Sequence, residues 1–414
     1  KNDLCLLFNK VKNIKKKINK NDFKNIDFVG VYKIPAEWDN FKITGDFKDI
    51  VYLDKKINNI NEHSNRQVNI NNIYFDIFNS INRKKKFKNT HFIYIDIYNK
   101  VNYHFLKNNI NIWVVNDISF FNLFKNAKYY FLRGNYHNFY SQILNKDAFS
   151  IFYPATSFKF SYNFSKKVQK KLIKKKLEVK KKIPDYSLVL VHEDDFYRKV
   201  YKNSKLLLFN KFSGDNFYFK NLERVIDIIY VADATQPTKN HNLMFDFIRY
   251  CEEKEFSLKI AYISNKDILK EKYDNFIDNT NLKVIKLEYY NNINFSQLND
   301  LYNMSKINLI LSGRDCCPRV ISESLNCGCY NICLDTLSDG KFYYTDILGN
   351  IISLPNLNVV NIRGSLCYEK NMKIFFKIIY LTYYIDFDHE MISIKFKKMF
   401  GEDIFINKLV KHLK

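Results

Sequence analysis

Leu309-Ile-Leu-Ser-Gly-Arg-Asp-Cys-Cys-Pro-Arg-Val-Ile-Ser-Glu-Ser-Leu-Asn-Cys-Gly-Cys-Tyr-Asn-Ile-Cys333 reads as a strand, a polar loop, a helix and a second strand. The apolar run Leu309 to Leu311 ends at Ser312-Gly313, and Pro318 takes a first helical position, where its missing N–H costs nothing. The helix continues to about Asn326, Gly328 supplies the C-cap, and Cys329 to Leu334 is apolar enough for a buried strand. Such a unit points the unbonded amides of a helix start beyond the strand ends, where they favour an anion such as a diphosphate. Asp315 lies in the loop and Glu323 on the helix, with seven residues between them. A carboxylate one to two turns along the helix can accept from paired ribose hydroxyls, and a loop acid from the hydroxyls of an attached sugar. The constellation suits a nucleotide-sugar.

Working outward, Ile226-Asp-Ile-Ile-Tyr-Val-Ala-Asp-Ala-Thr-Gln-Pro-Thr-Lys-Asn-His-Asn-Leu243 runs from a strand into a polar loop. That loop closes on Lys239-Asn240 and a helix from Asn242 to about Glu252. Phe256 to Ser264 and Leu282 to Leu287 read as strands, and Phe295 to Tyr302 as the helix before the opening stretch. In this order the pieces resemble the donor half of retaining glycosyltransferases of the GT-B fold, glycosyltransferase family 4 in particular, over Ile226 to Leu354.

The resemblance implies an α/β protein of two Rossmann-like domains facing each other across a cleft, with C-terminal helices crossing back to brace the first. It also implies transfer of a sugar from a nucleoside diphosphate sugar with retention of configuration, with no metal and no cofactor beyond that co-substrate. Carried onto this chain, it places Asp315 on the sugar hydroxyls, Glu323 on the ribose and Lys239 on the diphosphate. Gly313, Arg314, Thr235 and the backbone around Pro318, Arg319 and Val320 complete the donor contacts. Arg319 is either a second cation for the phosphates or the i,i+4 partner of Glu323. Three positions depart from the family's pattern: Asp315 stands where Glu is usual, Ala234 where an Arg is frequent, and Asp335-Thr-Leu-Ser-Asp-Gly340 replaces a Gly-Gly loop.

A chain of 414 residues with 46% apolar side chains is long enough for two domains of about 200 residues each. No apolar stretch reaches the roughly 20 residues of a membrane span; Phe375 to Ile385 is short and interrupted by Lys377. No signal-peptide pattern is visible, so a cytoplasmic location is expected. The net charge of +23 points to an anionic partner, although an overuse of Lys, Asn, Ile, Phe and Tyr produces the same excess without any selection for binding. The densest cluster, Lys166 to Lys182, reads as a basic helix with a narrow apolar stripe. It is either a solvated surface helix or a foot for an anionic membrane or for DNA. The eight cysteines contain no CxxC pair and no zinc spacing, which argues for reduced, non-ligating thiols.

In the first half, strands are expected at Ile26 to Tyr32, Ile50 to Leu53, His91 to Ile97, Ile110 to Val115, Tyr129 to Leu132, Phe149 to Tyr153 and Ser187 to Val191. Their alternation with helical patterns argues for a mostly parallel sheet. The expected organisation is an acceptor domain over 1–210, a donor domain over 211–372 and bracing helices over 373–414, with turn chemistry at Lys211 to Asn216 marking the first boundary. Three candidates for contacts from the first domain are Gly30, Arg133 and His137, the last being equally a packed histidine. His192-Glu-Asp-Asp195 has the acids of a metal site by composition, or complements a helix dipole.

The leading expectation is therefore a glycosyltransferase acting on a glycan or lipid-linked acceptor. Its competitors are an enzyme acting on modified bases in DNA and a catalytically silent scaffold of the same fold.

Overall fold

The computed structural model describes residues 14–32, 34, 38–39, 41–43, 51–54, 73–96, 102–134, 136–154, 184–191, 198, 200–209, 212–213, 216–233, 237–264, 267–312, 315, 318–337, 344, 347–353 and 366–413. These divide into two compact units, Lys1–Phe209 with Ile406–Lys414, and Asn210–Phe405.

The first unit is built on a ten-stranded sheet. Its strands are β1 (Ile14–Lys17), β2 (Phe28–Tyr32), β3 (Val51–Asp54), β4 (Thr90–Ile95), β5 (Asn102–Lys107), β6 (Ile110–Val115), β7 (Tyr129–Arg133), β8 (Phe149–Tyr153), β9 (Leu188–Val191) and β10 (Lys205–Leu208). They lie in the order β1-β3-β5-β6-β4-β2-β7-β8-β9-β10. From β6 to β10 every pairing is parallel. Strands β2 and β4 are buried at every position, as a sheet covered on both faces requires. Helix α1 (Ile73–Lys85) covers one face with Phe78, whose ring stacks on Phe28 at 4.2 Å between centroids. Helix α2 (His137–Ile143) follows β7.

Gly30 of β2 owes its place to this packing, because a Cβ there would lie 2.5 Å from the Phe92 ring and 2.8 Å from Phe78. Strand β5, which the expected pattern left out, is antiparallel to β6 through a turn at Asn108 and Asn109. Both asparagines have positive φ, at 53° and 59°, the backbone that a two-residue hairpin of matching twist demands.

The second unit carries a six-stranded, wholly parallel sheet in the order β13-β12-β11-β14-β15-β16. Its strands are β11 (Ile226–Val231), β12 (Leu258–Ser264), β13 (Ile285–Asn291), β14 (Ser305–Ile310), β15 (Tyr330–Leu334) and β16 (Gly349–Ile352). The connecting helices are α3 (His241–Glu253), α4 (Asp267–Asp278), α5 (Phe295–Asn303) and α6 (Arg319–Asn326). The direction of strand addition reverses between β11 and β14, and the loops leaving those two strands flank the crevice where open α/β sheets bind ligands.

This unit continues through α7 (Leu366–Tyr383) and α8 (His389–Phe400). Phe375 of α7 packs on Phe247 of α3 at 4.4 Å, and Ser393 of α8 donates to the Asn326 carbonyl at 2.7 Å. The split between units falls within α9 (Glu402–Val410), and Lys85 of the first unit donates to the Leu413 carbonyl at 3.0 Å. Each unit is Rossmann-like, built on a largely or wholly parallel sheet, as expected of the GT-B fold class. Among the described residues no helix is long and apolar enough to cross a membrane. The basic stretch Lys166 to Lys182 and the acids at His192 to Asp195 lie outside the described residues.

Candidate donor site in the second unit

Lys239 reaches its position through a short chain of local constraints. After β11 the backbone leaves the sheet at Ala232-Asp233, and Pro237–Lys239 forms a single 3-10 turn. The buried Tyr230 hydroxyl donates to the Lys239 carbonyl at 2.6 Å. Asn240 then adopts a left-handed φ of 58°, tolerable for asparagine, and its amide donates to the Leu311 carbonyl at 2.7 Å. That bond ties the loop after β11 to the end of β14. His241 is buried, which lowers its pKa, and its ring bonds the Tyr262 hydroxyl at 2.5 Å and the Asp233 carbonyl at 3.0 Å. Lys239 is left pointing across the crevice, where its ammonium pairs with the Asp315 carboxylate.

Helix α6 presents its N-terminus to the same place. Pro318 is the N-cap residue rather than the first helical one, at φ −59° and ψ 138°, and contributes no side-chain cap. The first-turn amides therefore face the crevice without a side-chain acceptor from that cap.

The opposite end of the helix is closed. Cys329 N–H donates to Ser324 O at 2.9 Å and Gly328 N–H to Leu325 O at 3.1 Å, the bonds of a Schellman motif around Gly328 at φ 84°. Arg224 adds its guanidinium to the Tyr302, Ser305 and Cys327 carbonyls at 2.7, 2.7 and 2.6 Å, and His389 donates to Gly328 O at 2.8 Å. Between the ends, Ser324 Oγ accepts from Asn308 of β14 at 2.9 Å and donates to Asn331 of β15 at 2.8 Å, which fixes the helix on its sheet.

Glu323 is 6% exposed, and its two oxygens face different partners. Arg319 Nε lies 3.2 Å from one, so the i,i+4 pairing is the arrangement observed. The Tyr302 hydroxyl donates to the other at 3.5 Å. Arg319 also donates from Nη2 to the Ser213 carbonyl at 3.1 Å, and Asn326 bonds Ser213 Oγ.

These elements enclose a cavity of about 340 Å³ at the ends of β11, β12 and β13. Lys239, Asp315, Pro318, Arg319 and Val320 line one side, and Ser264, Asn292, Ile293 and Leu298 the other. Glu323 lies one turn behind Arg319, while Thr235, Gly313 and Arg314 are outside the described residues. The second wall was absent from the sequence reading, although Ser264 and Asn291 each end an apolar run and so mark strand ends in a parallel sheet. Asn292 turns the chain there with φ 51°, its N–H donating to Ser264 O at 3.1 Å. The Ser264 hydroxyl is buried and has no hydrogen-bond partner among the described residues.

In the first unit, His137 is 4% exposed and bonds the Tyr186 hydroxyl at 2.8 Å, and burial pushes its pKa down to about 4. It is placed as a packed histidine. Arg133 is half-buried at the end of β7. Among the described residues no three His, Cys, Asp or Glu side chains gather as metal ligands would, and Cys251, Cys327, Cys329 and Cys333 are free thiols.

No protein-family model matches the sequence, and no curated protein does either. Solved structures do match. The sucrose-phosphate synthase of Thermosynechococcus elongatus aligns at TM-score 0.61 and 9% identity, covering 93% of this chain and 98% of that one. A glycosyltransferase from Rickettsia africae aligns at TM-score 0.56 and 14% identity, covering 94% and 99%. Anabaena HepE, solved with UDP and glucose, aligns at TM-score 0.56 and 7% identity, also covering 94% and 99%. Of a TarM structure, at TM-score 0.46 and 11% identity, the chain spans only 55% of the length. At these identities the shared property is the fold, two parallel-sheet Rossmann-like domains in the GT-B arrangement of elements.

Proposed function

We propose that the protein is a retaining glycosyltransferase that uses a nucleoside diphosphate sugar, without a metal, to glycosylate a glycan or lipid-linked acceptor. The observation that carries this reading is the meeting of the Lys239–Asp315 ion pair with the uncapped start of α6, at the reversal point of a parallel sheet and on the wall of one cavity. The structures of the same fold that are solved with UDP and glucose, or described as glycosyltransferases, lend it support.

Sugar transfer builds positive charge at the anomeric carbon and negative charge on the departing diphosphate. Stabilising that departing charge is the largest contribution available to such a site. Lys239 and the first amides of α6 supply it from fixed positions. Asp315, adjacent to Lys239, accepts from sugar hydroxyls and keeps the ammonium in place before the donor arrives. Glu323 accepts from the ribose hydroxyls, and this requires Arg319 to yield the carboxylate oxygen it holds. Arg319 is then available to the phosphates, so the two roles open to it succeed one another during donor binding.

The test is a thermal-shift panel of nucleoside diphosphates and their sugars with and without magnesium, repeated on Glu323→Ala. A ligand at about 100 times its dissociation constant adds about 2.7 kcal/mol of stability, a shift of a few degrees. Stabilisation by one nucleotide, independent of magnesium and lost in Glu323→Ala, is the expected result. Proton NMR of the product's anomeric centre decides retention. A flat panel overturns the reading.

A further inference from the structure

The first unit holds an arginine, Arg133, that forms no ion pair with a carboxylate among the described residues. The register places Tyr32 of β2 beside Tyr94 of β4, and Arg133 of β7 beside Tyr153 of β8. The pairing of Val31 with Leu132 brings Arg133 to the level of Tyr32. Side chains at one level of adjacent parallel strands point to the same face, so four neighbouring strands carry the row Tyr94, Tyr32, Arg133, Tyr153 at or one residue before their ends. Tyr74 of α1 covers this row. The guanidinium carbon lies 4.0 Å from the Tyr74 ring centre and 4.6 Å from that of Tyr32.

Rings hold a cation by their faces and leave its edges open. Among the described residues no carboxylate forms an ion pair with Arg133. Its Nε is buried with no hydrogen-bond partner among them, and the other groups acting on the guanidinium are tyrosines, with Tyr74 bonded to it. The neighbouring backbone is already committed, since Arg133 N accepts no further role once it donates to the Tyr140 hydroxyl at 3.2 Å and the same hydroxyl donates back to Arg133 O. Gly134 follows at φ 84°, its N–H donating to Tyr153 O at 2.8 Å.

A guanidinium whose Nε is buried without a partner among the described residues matches a planar or tetrahedral oxyanion, which its fork of donors meets in two parallel bonds. Here the fork stands at the carboxyl end of a parallel sheet, the edge where such sheets bind ligands.

We infer that this row is an oxyanion-binding site in the first unit, and that the acceptor carries a carboxylate or phosphate group that Arg133 binds. The second half of this inference rests on the glycosyl-transfer reading, whereas the anion site does not. Tyr32 and Tyr74 act as the platform that orients the guanidinium, and Tyr94 and Tyr153 flank the bound group.

Isothermal titration of the whole chain carrying Lys239→Ala, which disables the proposed donor site, tests the anion site directly. Inorganic phosphate and acetate are titrated separately at constant ionic strength, with chloride as the reference. The expected result is saturable binding of phosphate, acetate or both, weakened about tenfold by Arg133→Lys and abolished by Arg133→Met. A phosphate-only response assigns a phosphorylated acceptor, and an acetate-only response a carboxylated one. Binding that survives Arg133→Met resides on other lysines and overturns the inference, as does the absence of binding. Should Arg133→Met fail to fold, Tyr94→Phe takes its place, with an expected loss of about threefold. Failure of the donor panel with this titration intact removes the transferase reading and keeps the anion site.

Discussion

Lys239 and Asp315 touch each other, yet their replacement is expected to act on nucleotide binding in opposite directions. Their side chains are 13% and 24% exposed, so the pair is screened only in part. At an effective dielectric of about 20, a unit charge about 4 Å from a phosphate oxygen is worth about 4 kcal/mol. Exposure and salt reduce this to about 2 kcal/mol, a factor of about 30 in affinity. Lys239→Met is therefore expected to weaken binding of the nucleoside diphosphate about 30-fold. Asp315→Asn removes the carboxylate that shares the ammonium and repels phosphate, so the same diphosphate is expected to bind several-fold more tightly. Sugar transfer in Asp315→Asn nevertheless falls about 100-fold, because the sugar loses its charged acceptor. Isothermal titration with the diphosphate measures the first two effects, and a coupled release assay measures the third. Affinity in Lys239→Met within about threefold of the parent, or an equal loss in both variants, would refute the assignment of Lys239 to the diphosphate.

The closed end of α6 gives two stability predictions. Gly328→Ala places a Cβ 2.3 Å from the His389 carbonyl at φ 84°, and a loss of at least about 2 kcal/mol is expected in urea denaturation. Arg224→Met strips a cation from three carbonyls, with an expected cost of about 3 kcal/mol read from the same midpoints. Acid sensitivity follows from two buried histidines of the first unit. Burial, with a smaller contribution from His104, pushes His91 down to about 3, and burial alone pushes His137 down to about 4. In the unfolded chain both titrate near 6.5, so below that pH the unfolded state binds more protons and stability falls as pH drops toward 4. The loss is about 3 kcal/mol for each ring, checked by urea midpoints between pH 7.5 and 4.5. A flat profile over that window is the contrary result.

The second unit was legible because its elements are local and strongly punctuated. The sequence around Pro318, Glu323 and Gly328 sets the bounds of α6 to within a residue, and the central strands β11, β14 and β15 are short, mostly apolar runs. The far wall of the cavity was missed for a physical reason. Ser264 and Asn292 join Lys239 only through the parallel pairing of β11, β12 and β13, and pairing leaves no mark on any one segment. In the first unit β1, β5 and β10 escaped detection: β1 and β5 carry several polar residues, and β1 and β10 have only four residues each, too few for an apolar periodicity to register. The row around Arg133 was equally invisible, since its four members come from strands up to 121 positions apart, Tyr32 to Tyr153, and meet only in register.

Helix α6 has eight residues, which amounts to about 12 Å of rise. A helix of that length has little middle in which a displacement can die away, so a shift at Gly328 is expected to reach Pro318. Substitutions at Arg224, Gly328 and His389 will consequently score as active-site lesions in any screen for turnover, although none of the three borders the cavity. On the proposed reading they offer a remote dial on donor affinity, set without altering an atom of the cavity wall.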